Sequence, residues 1–323
     1  MADQSVPAEE APCACAVFMV RPARFAFNRQ TARTNAFQQP APASPPDDLQ
    51  DLALREFTGL AERLDRAGVG VIVADDTPEP AKPGAVFPNN WVSFHADGTV
   101  VLYPMLAANR RLERRAELLD AIAGRGWFDI LRTLDLSQHE ARGRYLEGTG
   151  SLVLDRPARV AYASWSPRTD PVVLDDFARQ LGYETLAFEA VGADGRAVYH
   201  TNVVMGVGAR FAVFCGAAIV DLRQRRAVVS RLEATGHHVI DISPGQMQAF
   251  GANLLELKGS RGPVIALSTT AWAEFEPPQR RMLEQHGELL AADIPTIERI
   301  GGGGVRCMLA EIHLPKRGPA SMS

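Results

Sequence analysis

Five short stretches head the apolar strands of this chain: FPNNWVSFH (87–95), LEGTGSLVLD (146–155), YHTNVVMGV (199–207), FGANLLELK (250–258) and GGVRCMLAEI (303–312). Each runs from a polar or glycine-containing turn into a hydrophobic strand. Aligning the turns brings Asn90, Gly150, Asn202, Asn253 and Cys307 into register, at separations of 60, 52, 51 and 54 residues. In a radial repeat, equivalent positions sit at equal distance from the axis. These five positions are therefore expected to converge on one centre despite their distance in sequence.

The pattern between the heads supports the same reading. Each pair of short apolar runs is followed by an amphipathic helix and one more strand. The expected helices cover 48–67, 109–124, 172–181, 222–235 and 278–291. The strands after them are expected at 71–73, 128–131, 184–188, 239–242 and 294–297. Leu112, Ala116, Leu119 and Ile122 show the helical spacing in the second unit. Five such units of roughly fifty residues form an internal repeat. The strand after Cys307 has no helix of its own and can close the repeat by pairing with Ala16–Val20. The proline-rich stretch 38–48 reads as an extended loop in which Asp47 or Asp48 caps the next helix. The expected organisation is a loose tail over 1–15, one catalytic domain over 16–315 and a second tail over 316–323.

The chain has 323 residues, 46% hydrophobic and 22% charged, with a net charge of −4. This is globular composition, with no basic field for a nucleic acid or an anionic membrane. No apolar run approaches the ~20 residues that span a bilayer, and the acidic start lacks a signal-peptide pattern. Four cysteines in so long a chain do not make a disulfide framework. A cytoplasmic protein is expected.

Cys307, His200 and Glu147 fall within a few residues of the repeat centre. A thiol is a good nucleophile as thiolate, an imidazole moves protons near neutral pH, and a carboxylate can orient that imidazole. Taken singly, each has a plainer reading: a core cysteine, a turn histidine, a solvated turn glutamate. Their shared position in different repeats favours a catalytic set. Cys215, inside FAVFC, reads as core, and Cys13 and Cys15 lack further ligands at zinc spacing. Gly148–Gly150 lacks the third glycine and helix of a dinucleotide site, and Gly301–Gly304 lacks the Lys-Ser/Thr of a phosphate loop. Arg110-Arg111 and Arg223–Arg226 read first as solvated helix faces.

The order Asn-Asn, Glu-Gly, His-Thr-Asn and Arg-Cys-Met within five units resembles the pentein, or guanidino-group-modifying, superfamily of arginine deiminases, dimethylarginine dimethylaminohydrolases and amidinotransferases. The segments MVRPARFAFNRQTARTNAFQ (19–38), FPNNWVSFH and YHTNVVM look closer still to bacterial citrulline-utilisation hydrolases. The resemblance implies an α/β fold: a five-bladed α/β propeller of ββαβ repeats with pseudo-fivefold symmetry. It implies that Cys307 attacks the carbon of a guanidino or ureido group while His200, held by Glu147, is acid and base.

In arginine-processing relatives two aspartates grip the guanidinium; the matching positions here are Asn90 and Asn202. An amide both donates and accepts and carries no charge, so the pair suits a neutral ureido group. Arg168, in Ser166-Pro-Arg-Thr169, resembles an arginine that binds the substrate carboxylate, and Arg110 or Arg111 could add a second contact. The expected activity is hydrolysis of citrulline to ornithine, ammonia and carbon dioxide, with no cofactor and no metal. The expected partner is a small-molecule amino acid, with no nucleic acid and no membrane, and a homo-oligomer left open. The alternatives are an arginine deiminase or dihydrolase, an amidinotransferase, or a non-catalytic binder on the same scaffold.

Overall fold

The computed structural model describes residues 10–40, 49–124 and 127–317. Its strands are β1 (Ala16–Arg21), β2 (Gly70–Asp75), β3 (Val92–Phe94), β4 (Thr99–Leu102), β5 (Arg132–Asp135), β6 (Leu152–Asp155), β7 (Val160–Ser164), β8 (Glu184–Phe188), β9 (Met205–Val207), β10 (Phe211–Phe214), β11 (His238–Asp241), β12 (Leu255–Lys258), β13 (Pro263–Ser268), β14 (Glu288–Ala292) and β15 (Ala310–Glu311). Among the described residues they form five three-stranded sheets: β3-β4-β5, β6-β7-β8, β9-β10-β11, β12-β13-β14 and β15-β1-β2. In every sheet the first pair is antiparallel and the second parallel. A parallel pair needs a crossover, and a helix fills each one. The fifth sheet joins the two ends of the chain, with Val17 opposite Glu311 and Phe18 opposite Ala310, as expected.

The helices follow their sequence signals. Leu49–Arg66 buries Ala53, Phe57, Leu60 and Leu64, a single stripe at helical spacing. Pro171–Leu181 starts with Asp170 accepting from Val172 N at 2.9 Å and ends at Gly182 in the left-handed region. Leu222–Ala234 is capped by Asp221. First strands of neighbouring sheets also touch one another: β15 lies on β3, β6 on β9 and β9 on β12. The turns that precede those strands therefore gather on one side of the molecule.

Several expectations need correction. The single helix over 109–124 is two elements, a 3-10 turn Ala108–Glu113 and a helix Ala116–Ala123. The break follows from Arg110, which is 3% exposed and turns into the protein to meet Glu113 and Asn90. Phe128 is not in a strand of its own sheet: it bridges to Lys316, and the third strand begins at Arg132. The helix expected to reach 291 stops at Glu284, and Glu288–Ala292 is β14, parallel to β13. Ile294–Ile297 is no strand; it leads into a π-helical turn, Ile297–Gly301.

Residues 10–15, expected to belong to a loose amino-terminal tail, pack against the domain. Glu10 is buried, accepting from Tyr183 Oη at 2.5 Å and from Ala96 N at 3.2 Å, and Ala14 O accepts from Lys258 N. The expected cap at Asp47 or Asp48 lies outside the described residues, as does residue 318 onward of the tail expected over 316–323; Lys316 and Arg317, its first two residues, bond to Phe128 and Trp127 instead. Cys215 is buried at the end of β10, in the largest apolar cluster.

Candidate active site

Contacts join Asn202, Asn253 and Cys307, and Gly150 sits against Asn90 and His200. The amide nitrogen of Asn253 lies 3.0 Å from Asn202 O and 3.3 Å from Cys307 Sγ, and that of Asn202 is 3.5 Å from the same sulfur. A β-carbon placed on Gly150 would fall 2.6 Å from both Asn90 Nδ2 and His200 Nδ1. Gly148 packs so closely under Asn89 that a β-carbon there would meet its carbonyl oxygen at 2.2 Å, with φ at +48°. Only glycine fits both demands, and this lets the Glu147 turn seat against the Asn89-Asn90 turn.

Around this point lies a cleft of about 390 Å³ of empty space. Cys307, His200, Asn90, Arg168, Arg110 and Tyr199 line it, with Asn28, Thr31, Asn35 and Gln38 from the segment after β1 and Gly301–Gly303 from the segment before Cys307. No carboxylate lines the cleft among the described residues. No cluster of three or more His, Cys, Asp or Glu side chains among them could hold a metal ion.

Glu147 stands one layer behind. It is fully buried, and its Oε2 meets His200 Nε2 at 2.9 Å and Arg168 Nη1 at 3.1 Å, while Leu106 N donates to Oε1 at 3.1 Å. Burial favours the neutral acid, but Arg168 and His200 outweigh it and hold Glu147 well below the usual carboxylate range. Burial pushes the His200 imidazole down to about 4, against the pull of Glu147. The pair is thus an ionised carboxylate and a neutral imidazole. Because the carboxylate can only accept, Nε2 carries the hydrogen and Nδ1 keeps its lone pair. Nδ1 is buried and finds no hydrogen-bond partner among the described residues. Burial also raises the Cys307 thiol, opposed by the two amide N–H groups of Asn253 and Asn202 and by the charge of Arg306.

Of the six residues expected from sequence, Cys307, His200, Asn90 and Arg168 line the cleft. Asn202 touches the sulfur, and Glu147 backs the histidine. Two expected roles do not match the contacts. Arg168 donates to Thr34 Oγ1 twice (3.1 and 2.9 Å), to Thr31 O at 3.1 Å and to Glu147, and its guanidinium covers the Tyr199 ring at 5.0 Å. Four of its N–H groups are thereby occupied, which leaves no two-pronged fork for a substrate carboxylate. Nor is Arg110 a solvated helix residue: it pairs with Glu113 at 2.8 Å and donates to Asn90 Oδ1 at 2.6 Å.

The sequence reading placed Asn253 in the repeat but gave it no role, although its amide is on the sulfur. Its alignment with Asn202 was the available signal. Glu113, three residues after Arg110, carried only the weak signal of an i,i+3 ion pair.

The profile of the family described as N,N dimethylarginine dimethylhydrolase, eukaryotic, matches residues 21–314. No curated protein matches the chain. Among solved structures, the chain is similar to the N-terminal domain of ArgZ, an arginine dihydrolase of cyanobacteria, in a variant covalently bound to a reaction intermediate. That pair has a TM-score of 0.71 at 15% identity, covering 93% of this chain and 99% of the other. Unliganded AgrE is similar with a TM-score of 0.72 at 17% identity, over 94% of this chain and 40% of AgrE. A dimethylarginine dimethylaminohydrolase (DDAH) from Pseudomonas aeruginosa, in a cysteine-to-serine form complexed with citrulline, gives a TM-score of 0.62 at 15% identity over 93% and 100% of the two chains. At these identities the structural likeness speaks for the fold, an α/β arrangement of small mixed sheets. The profile match spans most of the length, and on it the chain belongs to the N,N dimethylarginine dimethylhydrolase family, within the pentein group of cysteine-dependent hydrolases of C–N bonds.

Proposed function

We propose that this protein hydrolyses the ureido group of a neutral amino acid of the citrulline class, releasing ornithine, ammonia and carbon dioxide. One observation carries the substrate choice. The cleft presents a thiol, an imidazole, amides and two arginines, and no carboxylate among the described residues. A guanidinium entering it would lose water and meet no carboxylate on the wall, because Glu147 and Glu113 stand behind it, already paired with Arg168 and Arg110. Leaving a buried charge unpaired costs about 3–5 kcal/mol. A ureido group carries no charge and offers one acceptor and several N–H donors, which amides can match.

In the proposed mechanism, His200 Nδ1 takes the proton of Cys307, whose sulfur then adds to the ureido carbon. Amide N–H groups at the strand heads stabilise the charge that develops on the oxygen. His200 returns the proton to the departing ammonia, leaving a thiocarbamate on Cys307. His200 Nδ1 then deprotonates a water that attacks the same carbon. Collapse frees the thiolate, which regains its proton, and N-carboxy-ornithine, which loses carbon dioxide. Glu147 holds the imidazole tautomer throughout, and Arg168 holds Glu147; both are positioning residues. The same placement of turns supports a reading of the five sheets as blades around a common axis through Cys307.

The family match favours a second reading, a guanidino substrate such as arginine or dimethylarginine. Incubation with citrulline, arginine and dimethylarginine separates the two by which one yields product. Release of ornithine from citrulline by the wild type, abolished in Cys307→Ser, is the expected result. Turnover of the cationic compounds alone overturns the ureido assignment, and equal turnover by Cys307→Ser overturns the covalent route.

A further inference from the structure

The Asn90 side chain is held by a chain of contacts that ends in a buried ion pair. Glu113 accepts from Arg110 Nε at 3.0 Å and Nη2 at 2.8 Å. Arg110 Nη2 also reaches the carbonyls of Gly84 and Phe87, both at 3.2 Å, and Nη1 donates to Asn90 Oδ1 at 2.6 Å. Arg110, Glu113 and Asn90 are each at most 4% exposed. An arginine has donors only, so this contact fixes which end of the Asn90 amide is oxygen. The oxygen is turned toward Arg110, which takes one of its lone pairs. The nitrogen faces Asn89 Oδ1 at 2.8 Å and the point beside Gly150 that His200 Nδ1 also faces.

We propose that Arg110, locked by Glu113, sets the head-group selectivity of the cleft by turning Asn90 so that its N–H, and not its oxygen, faces the head group. This deepens the ureido reading and rests on it. A ureido group has an oxygen to meet that N–H. A guanidinium has only N–H groups along its rim and meets a donor there. Arg110 is a specificity-positioning residue: it acts through Asn90. Asn90→Asp would keep one oxygen on Arg110 Nη1, and because Arg110 is already paired with Glu113 the added charge favours a cationic head group.

The test measures the ratio of citrulline to arginine affinity by calorimetry in a Cys307→Ser background, with thermal unfolding as a control for folding. Arg110→Gln is expected to lower the ratio about tenfold, the scale of one charge-assisted hydrogen bond, while Arg110→Lys, which can still donate to Asn90, retains most of it. Asn90→Asp is expected to weaken citrulline and to strengthen arginine. An unchanged ratio in folded Arg110→Gln overturns the proposal. Failure of the ureido reading shows separately, as a parent protein that binds arginine and not citrulline before any change at Arg110.

Discussion

Gly150 lies against His200 so closely that a single methyl group on its α-carbon would sit 2.6 Å from the unpartnered Nδ1 and 2.7 Å from Cε1. The missing side chain is therefore part of the active centre. It leaves the imidazole lone pair uncovered, and it lets the Asn90 amide approach the same point. Real β-carbons do not approach other heavy atoms so closely, so any larger residue must move the histidine, the amide or the turn between them.

Gly150→Ala is expected to fold, since Gly150 does not need a left-handed backbone, but to lose turnover by a factor on the order of 10² through displacement of the base. Steady-state kinetics alongside a thermal unfolding curve check this. Wild-type kcat in the alanine variant would contradict the assigned position of His200.

The acid limb of activity is expected near pH 4. Burial depresses His200 from its ordinary 6.5 to about 4, and the base is competent only when neutral. A pH profile of kcat/KM that falls near 6.5 instead would show a solvated imidazole. Stability follows the same linkage. Unfolded His200 takes up a proton below 6.5 that the folded protein refuses, so unfolding becomes easier as pH drops from 6.5 towards 4. Glu147 has a depressed value, so its contribution is complete above the ordinary 4.5 and is lost as pH falls below it. Thermal midpoints taken between pH 4 and 7 should therefore decline on the acidic side and level off on the neutral side.

Asn253→Ala removes the closer of the two amide donors to Cys307, at 3.3 Å. The thiol is already raised by burial, so losing a donor to its charged form raises it further. Alkylation of Cys307 at neutral pH is expected to slow about tenfold, the equivalent of one hydrogen bond to a charged group. Asn253 makes no part of the cleft wall, so KM should stay near its wild-type value. A rise in KM with unaltered alkylation would place Asn253 in substrate binding instead.

Some of these residues were legible in the chain and others were not. The repeat of turn and strand named Cys307, His200 and Glu147 because apolar runs and their turns are local features. The helix Leu49–Arg66 was legible for the same reason: Phe57, Leu60 and Leu64 write its buried stripe directly. The helix expected over 109–124 shows the limit. Its apolar spacing was real, yet Arg110 turned inward, and the gain from a buried ion pair and a buried hydrogen bond broke the helix before Ala116. At β14, Glu288–Ala292 looked like the end of a helix until pairing with β13 made it a strand. Propensity over five residues is weaker than a ladder of hydrogen bonds to a neighbour.

What the sequence determined by itself was the unit: a hydrophobic rhythm of five turns, strands and helices, and the choice of a sulfur, an imidazole and a carboxylate near their common centre. What tertiary structure decided was who faces whom. Arg168 belongs to Glu147 and Tyr199, the Asn90 oxygen belongs to Arg110, and Asn253 belongs to the sulfur. Periodicity records only whether a side chain is inside. Once inside, each donor and acceptor must find a partner, and that partner can come from a residue 20, 54 or 134 positions away along the chain.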